Sequence, residues 1–357
     1  MDKYNSIGIL FGVPIILALI MIAFGNTSEQ ELKVNLVPVE AEQRVDVIID
    51  GNLFTSYIYT DTIPVLKKPV LFPLQTSRGT PLTRGYPLNP RAGERIDHPH
   101  QVGFWLNYGD VNGLDFWNNS DAIPADHKNK VGTIRHREIK SIKSGEEKGI
   151  LEVGMNWLTP ENEVLLKEDT KFIFRADGDS RIIDRITTLT ATDQKVRMKD
   201  NKEGMMAVRV ARELEHTSSG EVHLTGQDGL PMGEEVVDNT GVTGVYRSSE
   251  GLIGDEVWAT RAPWVALSGT IKEESITMVM FDHPENPGYP TYWHARGYGL
   301  FSANPLGQKE FSGGEDELNL VIEKGESITF RYRLFINSGD QSHDEIQKVF
   351  NAFISDI

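Results

Sequence analysis

The sequence predicts an all-β fold, a large antiparallel β-sandwich with a C-terminal helix. Three observations carry that prediction: many short runs rich in β-branched and aromatic residues, turn residues between them, and one late helical signal. The first runs, 45–50 and 53–59, are joined through Asp50-Gly51-Asn52, where glycine supplies the positive φ of a tight turn. Further strands are expected at 131–142, 149–158, 164–175 and 181–192, with Ala176-Asp177-Gly178-Asp179 as the turn before the last. Later runs are 205–210, 242–247, 264–267, 275–281 and 326–336. In 327–335 apolar and polar side chains alternate, the period of a half-buried strand. The helix starts after Ser342, which forms a capping box with Glu345 ahead of an apolar stripe of Ile346, Val349, Phe350 and Phe353. That stripe is expected to dock on the sandwich edge. No repeat or low-complexity linker divides the chain, so 30–357 reads as a single domain.

Composition narrows the functional classes. Of 357 residues, 39% are hydrophobic, enough for a core and too many for general disorder. The net charge of −16 repels phosphate backbones, and no basic cluster opposes it, so nucleic acid is not an expected partner. A small-molecule or oligosaccharide substrate fits better. With no cysteine, disulfides, thiolate metal sites and cysteine nucleophiles are excluded. Residues 7–24, IGILFGVPIILALIMIAF, are uncharged and follow Lys3, while Ala23 and Gly25 suit cleavage. Residues 1–25 therefore read as a signal peptide, or as an anchor if uncleaved. A periplasmic or extracellular location follows, with membrane contact only in the anchored case.

Two segments break the strand rhythm. One contains Arg95, Asp97-His98-Pro99-His100 and Trp105; the other contains Asp282-His283-Pro284, Tyr292-Trp293-His294 and Arg296. An Asp beside a His can fix the imidazole tautomer, and Pro after His holds that residue extended. Trp and Tyr offer flat faces for sugar rings, and Arg and Asp bind hydroxyls. His98, His100, His283 and His294 are thus candidate acid–base groups. Arg95, Asp97, Trp105, Tyr292, Trp293 and Arg296 are candidate substrate contacts. A third segment offers Glu203 as a complementary base beside Lys202, with Arg84 as a further contact. Taken singly, each of these has an ordinary structural alternative: a turn, a packed aromatic, a solvated charge. His98 and His100, two apart, would face one side of a strand and can chelate an ion, but no histidine-rich tract supports a metal. No cofactor is expected. The absence of a G-x-S-x-G elbow argues against a serine hydrolase.

At these residues the chain resembles a bacterial family of unknown function often labelled "methane oxygenase PmoA". The resemblance covers most of the chain after the first 25 residues. It rests on Asp50-Gly51, Thr83-Arg84-Gly85-Tyr86-Pro87, Asp97-His98-Pro99-His100, Gly109-Asp110-Val111-Asn112-Gly113, Phe116-Trp117, Lys202-Glu203-Gly204, and Asp282-His283-Pro284 through Arg296-Gly297-Tyr298-Gly299. It implies a supersandwich like that of galactose mutarotases. At Gln101 and Val102 the chain departs from a family pattern of a further His and a basic residue, which weakens a three-histidine metal set. The expected function is an extracytoplasmic carbohydrate-active enzyme using His/Glu acid–base chemistry, of epimerase, lyase or hydrolase type. A non-catalytic glycan-binding module and, from the label, a metal-dependent oxidoreductase are the alternatives.

Overall fold

The computed structural model describes residues 33–357, so the apolar stretch 7–24 that reads as an export signal lies outside the described residues. The chain lays down β1 (Val34–Val39), β2 (Arg44–Ile49), β3 (Asn52–Ile58), β4 (Val70–Leu71) and β5 (Phe104–Tyr108). Four long strands follow: β6 (Thr133–Lys143), β7 (Lys148–Leu158), β8 (Val164–Asp177) and β9 (Ser180–Ala191). Next come β10 (Val196–Met198), β11 (Gly204–Arg209), β12 (Val222–Thr225) and β13 (Pro231–Val236). Then come β14 (Val245–Ser248), β15 (Trp264–Ile271), β16 (Glu274–Asp282), β17 (Tyr292–Arg296) and β18 (Leu300–Asn304). A single turn α1 (Gln308–Phe311), β19 (Leu320–Ile322), β20 (Ser327–Ser338) and helix α2 (His343–Asp356) complete the chain.

Two eight-stranded antiparallel sheets result, ordered β1-β2-β3-β4-β5-β11-β18-β17 and β14-β15-β16-β20-β9-β8-β7-β6. They share one apolar core. Phe104, Leu106, Tyr108, Val208 and Phe301 enter it from the first sheet, Phe172, Leu334 and Tyr332 from the second. Tyr57 meets Phe172 at 5.8 Å between ring centres, across the two layers. Burying each such side chain contributes about 1.5–3 kcal/mol.

Local chemistry sets the turns where the sequence places them. Ile49 pairs with Asn52, so the β2–β3 loop is Asp50-Gly51, both with positive φ (51° and 76°), the geometry of a tight hairpin. Helix α2 begins at the Ser342–Glu345 capping box. Its Ile346, Phe350 and Phe353 pack on Trp264, Phe281 and Phe335. The alternate residues of those strands face the core, so α2 covers the outer face of the second sheet and not an edge.

Register positions the candidate site. In β5, β11, β18 and β17 alternate residues face the core, including Phe104, Val208, Phe301 and Trp293. Their neighbours therefore stand on the sheet's other face. Ala207 pairs with Trp105 and with Ser302, and Ser302 pairs with His294, giving one row across four strands. Arg209, Leu300 and Arg296 form the next row. Long loops cover this outer face, which is why all five residues of β5 and of β18 are buried.

Candidate active site

The floor of the site is an ion network anchored in β11. Arg209 Nη2 donates to Asp97 Oδ1 at 2.7 Å, and its Nη1 donates to Gln101 Oε1. Arg84 Nη1 donates to the same Asp97 oxygen at 2.9 Å, and Nη2 reaches the carbonyls of His98 (2.9 Å) and Gln101 (3.1 Å). Two buried guanidinium groups thus fix the segment 97–101 to the sheet. From another side Lys68 Nζ donates to the His100 carbonyl at 2.7 Å and lies 5.0 Å from the Trp105 ring centre. Burial pushes this ammonium down to about 7. Burial also pushes Asp97 up, but Arg209, the hydrogen bond from His98 and Arg84 outweigh it and hold the carboxyl well below its usual range.

His98 sits on this network in a left-handed conformation, φ 46°. The backbone amide of Gln101 donates to the His98 carbonyl at 3.0 Å, so 98–101 is a turn. The expected strand, with His98 and His100 on one side, does not form. That bend is what lets adjacent side chains meet: His98 Nδ1 is 2.8 Å from Asp97 Oδ2. An ionised carboxylate only accepts, so Nδ1 carries a proton, and the neutral tautomer that this contact selects has its lone pair on Nε2. The ring stacks on Tyr298 at 5.2 Å with 3° between planes, and meets His100 edge-on at 5.6 Å. Its side chain is 41% exposed.

Three further groups lie within the electrostatic reach of His98: His100, Glu203 and His294. Burial, with Lys68 and His98 adding to it, pushes His100 down to about 2. Burial and then Arg296 push His294 down to about 3. Both rings are therefore neutral near pH 7, and each keeps a buried nitrogen without a partner, Nε2 of His100 and Nδ1 of His294. Burial raises the Glu203 carboxyl despite Lys202, whose Nζ is 3.6 Å away.

Beyond Tyr298 the site opens into a cleft of about 400 Å³ lined by Arg95, His216, Asp255, Trp258, Arg296 and Tyr298 among others. The Arg296 guanidinium lies 5.2 Å from the Trp258 ring centre and 5.8 Å from that of Tyr298. Trp258 is 42% exposed. Arg95 is held by Glu215 at 2.6 Å, and Glu215 also accepts from Arg212. His98, His100, His294 and Glu203 stand outside the lining of this cleft, which adjoins them through Arg296 and Tyr298.

The structure brings together His98, His100, His294, Glu203, Lys202, Asp97 and Arg296, and it relocates several other expected residues. Trp105 and Trp293 are 0% exposed and cannot form stacking walls. Trp105 packs on Trp117 and donates to Asn107, while Trp293 lies in the sandwich core and donates to the Ala262 carbonyl. His283 follows β16 in the other sheet, buried against Phe353 at 5.2 Å, where its Nδ1 accepts from the Glu285 amide. The neighbouring Asp282 accepts from Asn286 and the Thr291 amide, so the second Asp-His-Pro is a structural turn. Arg84 is a buried clamp, not a ligand contact. Tyr292 lies under Arg261, its hydroxyl 3.4 Å from Asp316.

Arg209, Lys68 and Trp258 escape the sequence reading, which names Gln101 and Tyr298 without giving them a place in the site. Arg209 alone has a local signal, a charge inside the apolar run Met205-Met206-Ala207-Val208-Arg209-Val210. Among the described residues no three His, Asp or Glu side chains converge as a metal set.

No curated protein matches the chain. Among solved structures, the galactosidase domain of an alpha-galactosidase–sucrose kinase shares 10% identity at a TM-score of 0.40, over 85% of this chain and 42% of that one. A GH36 alpha-galactosidase from Geobacillus stearothermophilus shares 13% identity at a TM-score of 0.36, over 81% of this chain and 40% of that one. This chain therefore spans about two fifths of those two galactosidase structures. A galactose 1-epimerase from Lactobacillus acidophilus NCFM shares 9% identity at a TM-score of 0.37, over 87% of this chain and 100% of that one. Residues 44–351 match one family model, and the chain belongs to that family of unknown function, DUF6807.

Proposed function

We propose that the protein is a carbohydrate-active enzyme that moves a proton at a sugar carbon or glycosidic oxygen, with His98 as base and Glu203 as complementary acid. The uncharged stretch 7–24 supports action outside the cytoplasm. One observation carries the functional reading: Asp97 holds His98 Nδ1 at 2.8 Å on a partly exposed ring, leaving Nε2 free. When Nε2 takes a proton, the Asp97 carboxylate faces the new imidazolium charge, as a base-orienting group should. Burial keeps Glu203 protonated further up the pH scale than an exposed carboxyl, which suits a donor. Neutral His100 and His294 can hydrogen-bond hydroxyls without adding charge.

A general acid–base pair of this type contributes about 10²–10⁴ in rate. The test is conversion of a panel of mono- and oligosaccharides in deuterium oxide, followed by NMR, with wild type, His98→Ala and Glu203→Gln. Conversion by wild type that falls about 10²–10⁴-fold in His98→Ala, with an unchanged melting temperature, is the expected result. Wild-type rates in both variants sink the assignment. The cleft beside Trp258 favours a second reading, a glycan-binding surface. It would show saturable binding without conversion, lost in Trp258→Ala.

A further inference from the structure

Among the described residues the Arg296 guanidinium has two aromatic neighbours and makes no ion pair or side-chain hydrogen bond. The setting makes that state informative. The chain carries 52 acidic against 36 basic residues, so carboxylates are plentiful. The neighbouring arginines are all engaged: Arg209 with Asp97, Arg95 and Arg212 with Glu215. Neither acid beside the cleft pairs with Arg296. Asp255 lies 3.2 Å from His216 Nδ1, and Glu215 accepts from two arginines. Arg296 instead borders Trp258 and Tyr298, so contact with aromatic rings limits its rotamers while its donors stay open on the cleft wall.

We infer that Arg296 is the anchor for a carboxylate on the substrate, so that the sugar bound here is a hexuronate or a glycan ending in one. This inference rests on the acid–base reading of the same site and names its substrate class. A planar guanidinium with free donors matches a carboxylate with two parallel hydrogen bonds. An aromatic ring beside it serves the apolar face of the sugar that bears the group. Arg296 and His98 both border Tyr298, at 5.8 Å and 5.2 Å from its ring centre, so one aromatic ring links the anchor to the base. The anchor also bears on the chemistry. A proton on the carbon next to a carboxylate is the one such a site can remove, because the negative charge formed spreads onto oxygens paired with Arg296.

The experiment is calorimetric or NMR titration of the full chain with a hexuronate, its parent hexose and the hexose sulfated at the same carbon. Wild type, Arg296→Ala, Arg296→Lys and His98→Ala are compared, with melting curves to verify folding. Wild type should bind the hexuronate about ten- to a hundred-fold more tightly than the hexose. Arg296→Ala should remove that preference and Arg296→Lys should restore part of it, while His98→Ala should retain it. Equal binding of hexuronate and hexose, or an unchanged preference in Arg296→Ala, overturns the inference. Preference for the sulfated sugar overturns the carboxylate assignment. Conversion of the hexuronate that survives in His98→Ala would remove the acid–base reading and leave the anchor standing. His98-dependent conversion confined to neutral sugars would do the reverse.

Discussion

His98 owes its chemistry to one backbone angle. At φ 46° its ring turns back onto the side chain of the preceding residue, a contact that an extended backbone forbids. Asp97 in turn holds two buried arginines, so it is structural and functional at once. Asp97→Asn keeps the shape and removes the charge. It should cost about 1–3 kcal/mol in denaturant unfolding near neutral pH, toward the lower end because a third of the carboxylate is exposed. The folded carboxyl is held below its ordinary 3.8, so its contribution is full above that pH and is lost as pH falls further. The gap between wild type and Asp97→Asn should narrow on acidification. Lys68 gives a slope of the same sign in a higher pH window. Its folded ammonium is lowered from 10.5 to about 7, so the unfolded chain holds the extra proton between those values. Stability should rise with pH across that window in wild type, and Lys68→Met should lose the rise.

The elements are held by local devices that can be tested singly. Gly51 has φ 76° and open space where a Cβ would stand, so Gly51→Ala should cost only the left-handed penalty, about 1–2 kcal/mol by chemical unfolding. Ser342→Ala removes the α2 capping box and should cost about 1 kcal/mol. Both devices are legible in the sequence because they act over two to four residues. So are β7, β8, β9 and β20, whose long runs bear turn signals at their ends. Of the strands that carry the site, β11 is legible as the run 205–210, whereas β5, β17 and β18 are not. In β5 and β18 both faces are covered, one by the sandwich core and the other by loops, so polar and apolar residues do not alternate.

Across the whole molecule, the site depends on pairings that no local pattern encodes. Arg209 meets Asp97 across 112 positions, and Lys68 reaches His100 from a loop with no motif of its own. The histidine and glutamate cluster is readable because several chemical residues crowd short segments. Yet the same crowding misleads at Asp282-His283-Pro284, where an equal tripeptide makes a buried turn. Tryptophan shows the same ambiguity, since burial alone separates a core residue from a ligand platform. Trp293→Ala should cost about 3–5 kcal/mol, because it opens a void in the core. Trp258→Ala should leave stability within about 0.5 kcal/mol and weaken glycan binding.

The Asp97–His98 pair is most directly examined by heteronuclear NMR of the His98 imidazole nitrogens, recorded near neutral pH with and without a hexuronate. A proton on Nδ1, a bare Nε2, and an Nε2 resonance that moves when the sugar is added are the predicted result. A proton resident on Nε2, or a ring whose nitrogens ignore the ligand, would contradict the assignment of His98 as the base.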